Sequence, residues 1–573
     1  MRNILIFLCA STVLGACNSS PESNIVVAPE ASNSYGCCVP EILDTGWYTS
    51  GRKAPLFSGL QGINFKVSTR NEEAQKYFNQ GLMLSFAFNH AEAGRSFFEA
   101  ARQDSTCAMC WWGFAYVLGP NYNGGMEPNN FQRAYDAVVK ASSLSYTCTQ
   151  KEKILVEALT HRYSNDTTIA RSVLDSSYAA AMRKVYVKYP DDVNIAALFA
   201  ESLMDLHPWN LWNKDGTPQP WTPEIVEVLE KSLAQEPLHP GANHFYIHAQ
   251  EMSQHPEASL ASADLLRDLV PGAGHLVHMP AHTYIRTGRY HDGVVANQNA
   301  VQVDSLYMES CHSQGVYPLA YYPHNYHFIA ACAALCGESR TAMMGAHATA
   351  DHAHKKLMRD PFWSTLQHYY SIPWYIEVKM GLWNEVLASP QPEADLKYPT
   401  VVWNYARGMA MLAGNKLPDA KNHLAAMKEI MADTTLRELT IWGINSVYDL
   451  CLIASDVLEG EILAKEKKFP EAIELLSEAV RKEDALNYDE PPDWFFSVRH
   501  HLGAVLIDAG KYPEAIQVYE KDLANYRENG WALKGLMNAY EKTGDREKYN
   551  GVKSRFDAAW KHADIEIVAS RIL

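Results

Sequence analysis

Apolar residues recur along this chain at helical spacing, and no segment keeps the alternation of a strand. The pattern comes in pairs: an apolar-rich segment, a short turn, then a segment apolar on one face. Over Ala74 to Ser105, Gly81, Ala93, Phe97 and Ala100 hold the small and aromatic places of such a pair, and Trp111-Trp112-Gly113-Phe114-Ala115 opens the next. Gly288-Arg289-Tyr290-His291-Asp292-Gly293 and Gly381-Leu382-Trp383-Asn384-Glu385 mark turns into second helices. Lys468-Phe469-Pro470-Glu471-Ala472 and Gly510-Lys511-Tyr512-Pro513-Glu514-Ala515, with Tyr519 beyond, do the same near the end. The period is about 34 residues. Small residues let two helices approach closely, and no pair can bury its apolar faces alone, so pairs must stack. The expected fold is an all-α, helix-pair solenoid over residues 69–573.

The first residues follow another logic. Met1-Arg2-Asn3, the apolar run Ile4 to Leu14 and Gly15-Ala16-Cys17 make a secretory signal. Leu14-Gly15-Ala16-Cys17 resembles the lipobox of bacterial lipoproteins. That resemblance implies removal of residues 1–16 and a diacylated Cys17 at the head of the mature chain. The alternative is an ordinary signal peptide cut near Ala16. Residues 17–68 form a lipidated tether and an irregular N-terminal segment, the stretch 18–35 being rich in Ser, Asn, Pro and Ala. Asn18, in place of an aspartate, leans towards the outer membrane of a Gram-negative bacterium. No later apolar run is long enough to span a bilayer, so lipid is the expected hold on the cell envelope.

Composition narrows the class. The 573 residues are 47% hydrophobic and 11% aromatic, as in an ordered globular protein. A net charge of −16 argues against nucleic acid as a partner and against anionic membrane surfaces. Of eleven cysteines, Cys9 leaves with the signal and Cys17 takes lipid. Cys107 and Cys110 form a C-x-x-C, but Trp111 stands where covalent haem attachment needs histidine. Helix packing, a disulfide or redox pair, and metal ligation remain open for that pair. No phosphate-binding or nucleotide-binding glycine motif occurs, and no G-x-S-x-G.

Several stretches resemble a family of bacterial tetratricopeptide-repeat lipoproteins. They are Cys107-Ala108-Met109 with Trp112-Gly113, Leu118-Gly119-Pro120-Asn121-Tyr122-Asn123, His244-Phe245-Tyr246-Ile247-His248, Pro271-Gly272-Ala273-Gly274-His275, His278-Met279-Pro280-Ala281-His282 and Glu490-Pro491-Pro492-Asp493-Trp494. The resemblance covers nearly all of the mature chain. It implies a tetratricopeptide-type solenoid wound as a right-handed superhelix, in the envelope, and names no chemistry.

The chemistry lies in histidines that keep register with the repeat. With Gly293 at the small place of its second helix, His275, His278 and His282 fall at the second, fifth and ninth places of the first helix. One repeat earlier His244, His248 and Glu251 fall at the fifth, ninth and twelfth; in a later unit His324 and His327 take the second and fifth. In tetratricopeptide domains these places line the concave groove. Residues at i, i+4 and i+7 share a helix face, so imidazoles from neighbouring helices can converge on one ion. Glu201 adds a carboxylate one unit upstream, with Asp205 a turn further on; Arg286 and Trp112 are further groove candidates. Neutral imidazoles with one or two carboxylates suit Zn²⁺ or Fe²⁺. Pro280 interrupts the helix of His275, His278 and His282, and a start near Met279 leaves the first two on a loop. Two other readings of the histidines stand beside this one: direct binding of a peptide or small-molecule ligand, and structural packing.

The expected function is therefore a lipid-anchored envelope protein whose groove binds a ligand around a His/Glu-ligated transition-metal ion. The alternatives are a metal-free scaffold for protein partners and a metal-dependent hydrolase or oxygenase. No residue is assigned a catalytic role.

Overall fold

The structure is a computed structural model that describes residues 45–311 and 316–573. Cys17 and the signal segment before it lie outside the described residues. After a one-turn helix, Thr45–Thr49, the chain runs without regular elements to Asn71. From Glu72 it is all-α, a stack of tetratricopeptide-like helix pairs. The only named strands among the described residues are Thr440–Ile441 and Asn445–Ser446, two residues each. No helix among them is long and apolar enough to cross a membrane.

Local chemistry sets the pairs. The Asn71 side chain accepts from the backbone of Glu73 and Ala74 and opens Glu72–Phe86. Thr149 and Glu152 form a reciprocal capping box at Gln150–Thr160. The small and aromatic places then interlock. Phe97 fills the gap between two first helices: a Cβ added to Gly81 stands 2.9 Å from its ring, one added to Gly113 2.2 Å. Tyr519 does the same near the other end, where a Cβ on Gly503 or Gly535 meets its ring at 2.4 or 2.2 Å.

First and second helices differ in burial. All eleven residues of α1 (Pro240–Gln250) are buried, whereas Leu260–Leu269, which follows, buries Ser262, Ala263 and Leu266. Around α1 the groove face is covered by Phe88, Tyr122 and Trp209. Further along, C-terminal pairs return to the middle of the chain. Arg527 pairs with Glu257 at 2.9 Å, the Tyr290 hydroxyl donates to the Arg527 carbonyl at 2.8 Å, and Trp531 Nε1 donates to the Ala334 carbonyl at 2.8 Å.

Two large apolar cores result, one from Ala54 to Tyr284 and one from Ala281 to Ile567, and they meet in the helices that carry the histidines. There α2 (Gly274–His278) and α3 (Pro280–Thr287) form one rod. Met279 between them keeps helical angles, φ −50° and ψ −35°, and Pro280 removes one backbone donor without displacing the histidines onto a loop. Gly274 opens α2 because α4 (Tyr290–Cys311) passes close: a Cβ there lies 1.8 Å from Asp304 Oδ1. Gly288, at φ +83°, closes α3 in the left-handed conformation. A π-turn at Tyr317–Tyr321 leads into α5 (Tyr322–Leu335).

Candidate metal centre

The inner faces of α1, α2, α3 and α5 bring six histidines together. His244 and His248 come from α1, His275 and His278 from α2, His282 from α3 and His324 from α5. Ring centroids step through the cluster at 4.9 Å (His248 to His244), 4.9 Å (His244 to His275), 5.6 Å (His275 to His278), 4.9 Å (His278 to His282) and 5.9 Å (His282 to His324). Two triads stand out within it. His244, His248 and His275 each offer a ligand atom within 4.8 Å of the others, and so do His278, His282 and His324. In both triads two of the three residues are four apart, which puts them on one helix face.

Hydrogen bonds fix which nitrogen of each ring is available. His244 Nδ1 donates to the Phe86 carbonyl at 2.6 Å. His248 Nδ1 donates to Glu251 Oε1 at 2.7 Å, and His282 Nδ1 meets Glu251 Oε2 at 2.5 Å. Asn297, on α4, gives its amide N–H to the Gly293 carbonyl, so its oxygen accepts from His278 Nδ1 at 2.6 Å. With Nδ1 carrying the proton on His244, His248 and His278, those three rings turn an Nε2 lone pair inward. His244 Nε2, His248 Nε2 and both nitrogens of His275 have no protein partner. His278 Nε2 and His282 Nε2 face each other at 3.0 Å. With its proton on Nε2, His282 donates to His278 across that gap; with its proton on Nδ1, a cation between the two nitrogens takes that place. Ligand nitrogens on a tetrahedral ion with bonds of about 2.0–2.1 Å stand about 3.3 Å apart.

Electrostatics agree with neutral, ligand-ready rings. Burial holds His244, His275, His278 and His324 well below their ordinary 6.5, and neighbouring imidazoles push the same way. Burial alone raises Glu251, but the imidazoles of His282 and His248, with their N–H groups, bring it down to about 2. One carboxylate thus orients a ring in each triad, as second-shell carboxylates do for metal-bound histidine. A buried polar atom without a partner costs about 1–3 kcal/mol. The four unpartnered nitrogens of the first triad together rival the whole stability of many proteins. An ion bound to one nitrogen of each ring removes the cost of three of the four.

The remaining sequence candidates are placed elsewhere or otherwise. Glu251 orients rings and is not one of the ligand-spaced groups. His327 lies on α5 but stacks on Phe495, with ring centroids 5.0 Å apart, and neighbours His368 at 5.6 Å; it does not join either triad. Glu201 accepts from the Tyr116 hydroxyl, and Trp112 stacks on Tyr116 while donating to the Leu155 carbonyl. Asp205 pairs with buried Arg162 at 2.7 Å. Arg286 follows His282 by one turn of α3 and faces Tyr488, its guanidinium carbon 5.5 Å from that ring. Sequence reasoning missed Asn297 because it searched first helices only. It also missed Phe88, whose ring touches His244, His248 and His275, and Phe328, which packs on His278, His282 and His324. The segment Glu490 to Trp494 drew notice as a motif, without a role.

No protein-family model matches this chain, and no curated protein sequence does. Among solved structures it is similar to a human IFIT1 dimer with m7Gppp-AAAA, at 12% identity and a TM-score of 0.31 over 87% of this chain and 91% of that one. It is also similar to the yeast Tom70, at 10% identity and 0.27 over 83% and 90%, and to the P58(IPK) TPR domain, at 13% and 0.20 over 83% and 99%. Scores this low carry no argument about function. The repeat architecture stands on the helix pairing itself.

Proposed function

We propose that this chain is a metalloprotein whose solenoid encloses a two-ion histidine centre, one ion for each triad. The observation that carries this is the convergence of ring nitrogens: Nε2 of His244 and His248 and both nitrogens of His275 have no partner, and Nε2 of His278 and His282 face each other at 3.0 Å. A structural cluster pairs its nitrogens; in the first triad four of them have no partner. The peptide-groove alternative asks for open surface where α1 has none.

The donors also speak to the ion. All six are imidazoles, and the adjacent carboxylate is already engaged by ring N–H groups. Such a set disfavours hard, oxygen-seeking ions, and among metals suited to imidazole copper binds most tightly. That order is the order of divalent ions, so Cu²⁺ stands beside the zinc and iron that the sequence pattern brings to mind. The activity proposed is oxidoreductase chemistry on a small molecule; zinc in its place points to hydrolysis. Elemental analysis of protein purified without chelator or metal-affinity tag tests this: two equivalents of copper are expected, and a metal-free, fully folded protein refutes the centre.

The envelope setting is proposed from sequence alone. Leu14-Gly15-Ala16-Cys17 supports a lipid anchor, and Cys17→Ser should release the chain from membranes. Unchanged partitioning of that variant removes the anchor. Setting nucleic acid aside as a partner rests on net charge only.

A further inference from the structure

A largely buried arginine follows the second triad with, among the described residues, no ion-pair partner within 4.0 Å; Glu490 and Glu251 act on it from further off. Arg286 lies four residues after His282, so the two share a face of α3. Its Nε is buried and unpartnered. Among the described residues its guanidinium forms no ion pair within 4.0 Å, unlike Arg289 on the next turn, which holds Asp264 at 2.7 Å. The side chain is not fully covered, so part of it borders open space. Tyr488 lies under the guanidinium, and Tyr526 and Glu490 are close enough to feel its charge. Neither Glu490 nor Glu251 comes within ion-pair distance, so the planar fork has no carboxylate of the described residues bound to it.

We infer that Arg286 is the oxyanion clamp of a substrate site: it takes a carboxylate or phosphate group and thereby presents the rest of a small molecule to the His278–His282–His324 triad. This rests on the metal reading above. The planar fork of arginine matches either group with two hydrogen bonds. His324 is the one triad member that keeps some exposure.

The test uses metal-loaded, full-length protein, with benzoate and inorganic phosphate as separate probes, followed by calorimetry and by the metal's electronic spectrum. At least one probe should bind the wild type and shift the spectrum, and which one does identifies the carboxylate or phosphate class. Arg286→Gln should weaken that probe by about 10- to 100-fold, with metal content unchanged. Arg286→Lys should recover part of the loss. If neither probe binds the wild type, or if Arg286→Gln binds as well as wild type, the clamp is refuted. Loss of metal from Arg286→Gln makes the arginine structural and also refutes it. A wild type that binds a probe at Arg286 but contains no metal refutes the centre and leaves the oxyanion site standing, so the two failures are separable.

Discussion

The two triads use the same side chain on adjoining helices, yet they are enclosed differently. Phe88 contacts all three histidines of the first triad and Phe328 all three of the second, but His244, His248 and His275 are all buried. In the second triad His324 keeps some exposure, and the helix that supplies His282 runs on to the unpaired Arg286. A closed ligand set suits an ion that stays; a set with an open side suits an ion that meets a substrate. The same residue type thus yields two kinds of site because different helices supply the walls.

The sharpest way to break this comparison is to remove one ligand from each triad. His248→Ala and His282→Ala should each drop the metal content from two equivalents to one, with helicity kept. Elemental analysis with circular dichroism reads both quantities. Loss of both ions from either variant makes the six histidines a single site and dissolves the distinction.

A smaller effect is expected from Glu251→Gln. This carboxylate accepts from His248 in one triad and lies 2.5 Å from His282 Nδ1 in the other. An amide has one acceptor oxygen, so one ring loses its anchor. Second-shell losses of this kind weaken metal binding by about 10- to 100-fold. Competition with a chelator of known affinity should show weakening in at least one triad without the loss of a full equivalent under saturating metal. Unchanged affinity at both sites means the carboxylate does not orient the rings.

Much of this was legible in the chain. Gly81, Phe97, Gly113 and Tyr519 announce the helix pairs because their places are fixed by interhelical clearance, which is local and periodic. The spacing of His244 and His248, and of His278 and His282, announces a shared face for the same reason. The walls were not legible. Asn297 reaches His278 from a second helix, and Glu490 and Tyr488 approach Arg286 from a unit some two hundred residues on. Those contacts depend on how C-terminal pairs return to the middle, which no repeat frame encodes. His327 shows the limit within one helix. It keeps the register of the groove, yet the return of Phe495 gives its ring a different neighbour.

Acid should act on the apo-protein through the imidazoles before it acts through Glu251. His244, His275 and His278 are held well below 6.5 by burial. Below pH 6.5 the unfolded chain takes up protons at these positions and the folded chain does not. Their contribution is therefore present above 6.5 and lost as pH falls, by about 1.4 kcal/mol per pH unit for each ring. Glu251, lowered from 4.5 to about 2, contributes above 4.5 and loses its share only towards pH 2. Denaturant midpoints of chelator-treated protein should fall steeply from about pH 7 to about pH 5, and bound metal should raise the curve without changing its slope, because the folded rings are neutral in either case. A flat curve without metal means the rings are not held neutral, and the difference between sealed and open triads loses its electrostatic basis.

The smallest expected effect lies just outside the cluster. His327 shares α5 with His324, is equally a histidine of the repeat register, and has an unpartnered Nε2. Its ring stacks on Phe495 at an interplanar angle of 15° and lies beside Tyr369. His327→Phe replaces an unsatisfied imidazole with an apolar ring in an aromatic setting. Metal content should stay at two equivalents, and stability should change by no more than about 1 kcal/mol, because a lost packing fit is offset by removal of a buried polar atom. His324→Phe, three residues away, should by contrast loosen the ion of the second triad and leave the first intact. If His327→Phe also lowers metal content, the centre extends along α5 past His324, and the open side of the second triad becomes a third set of ligands.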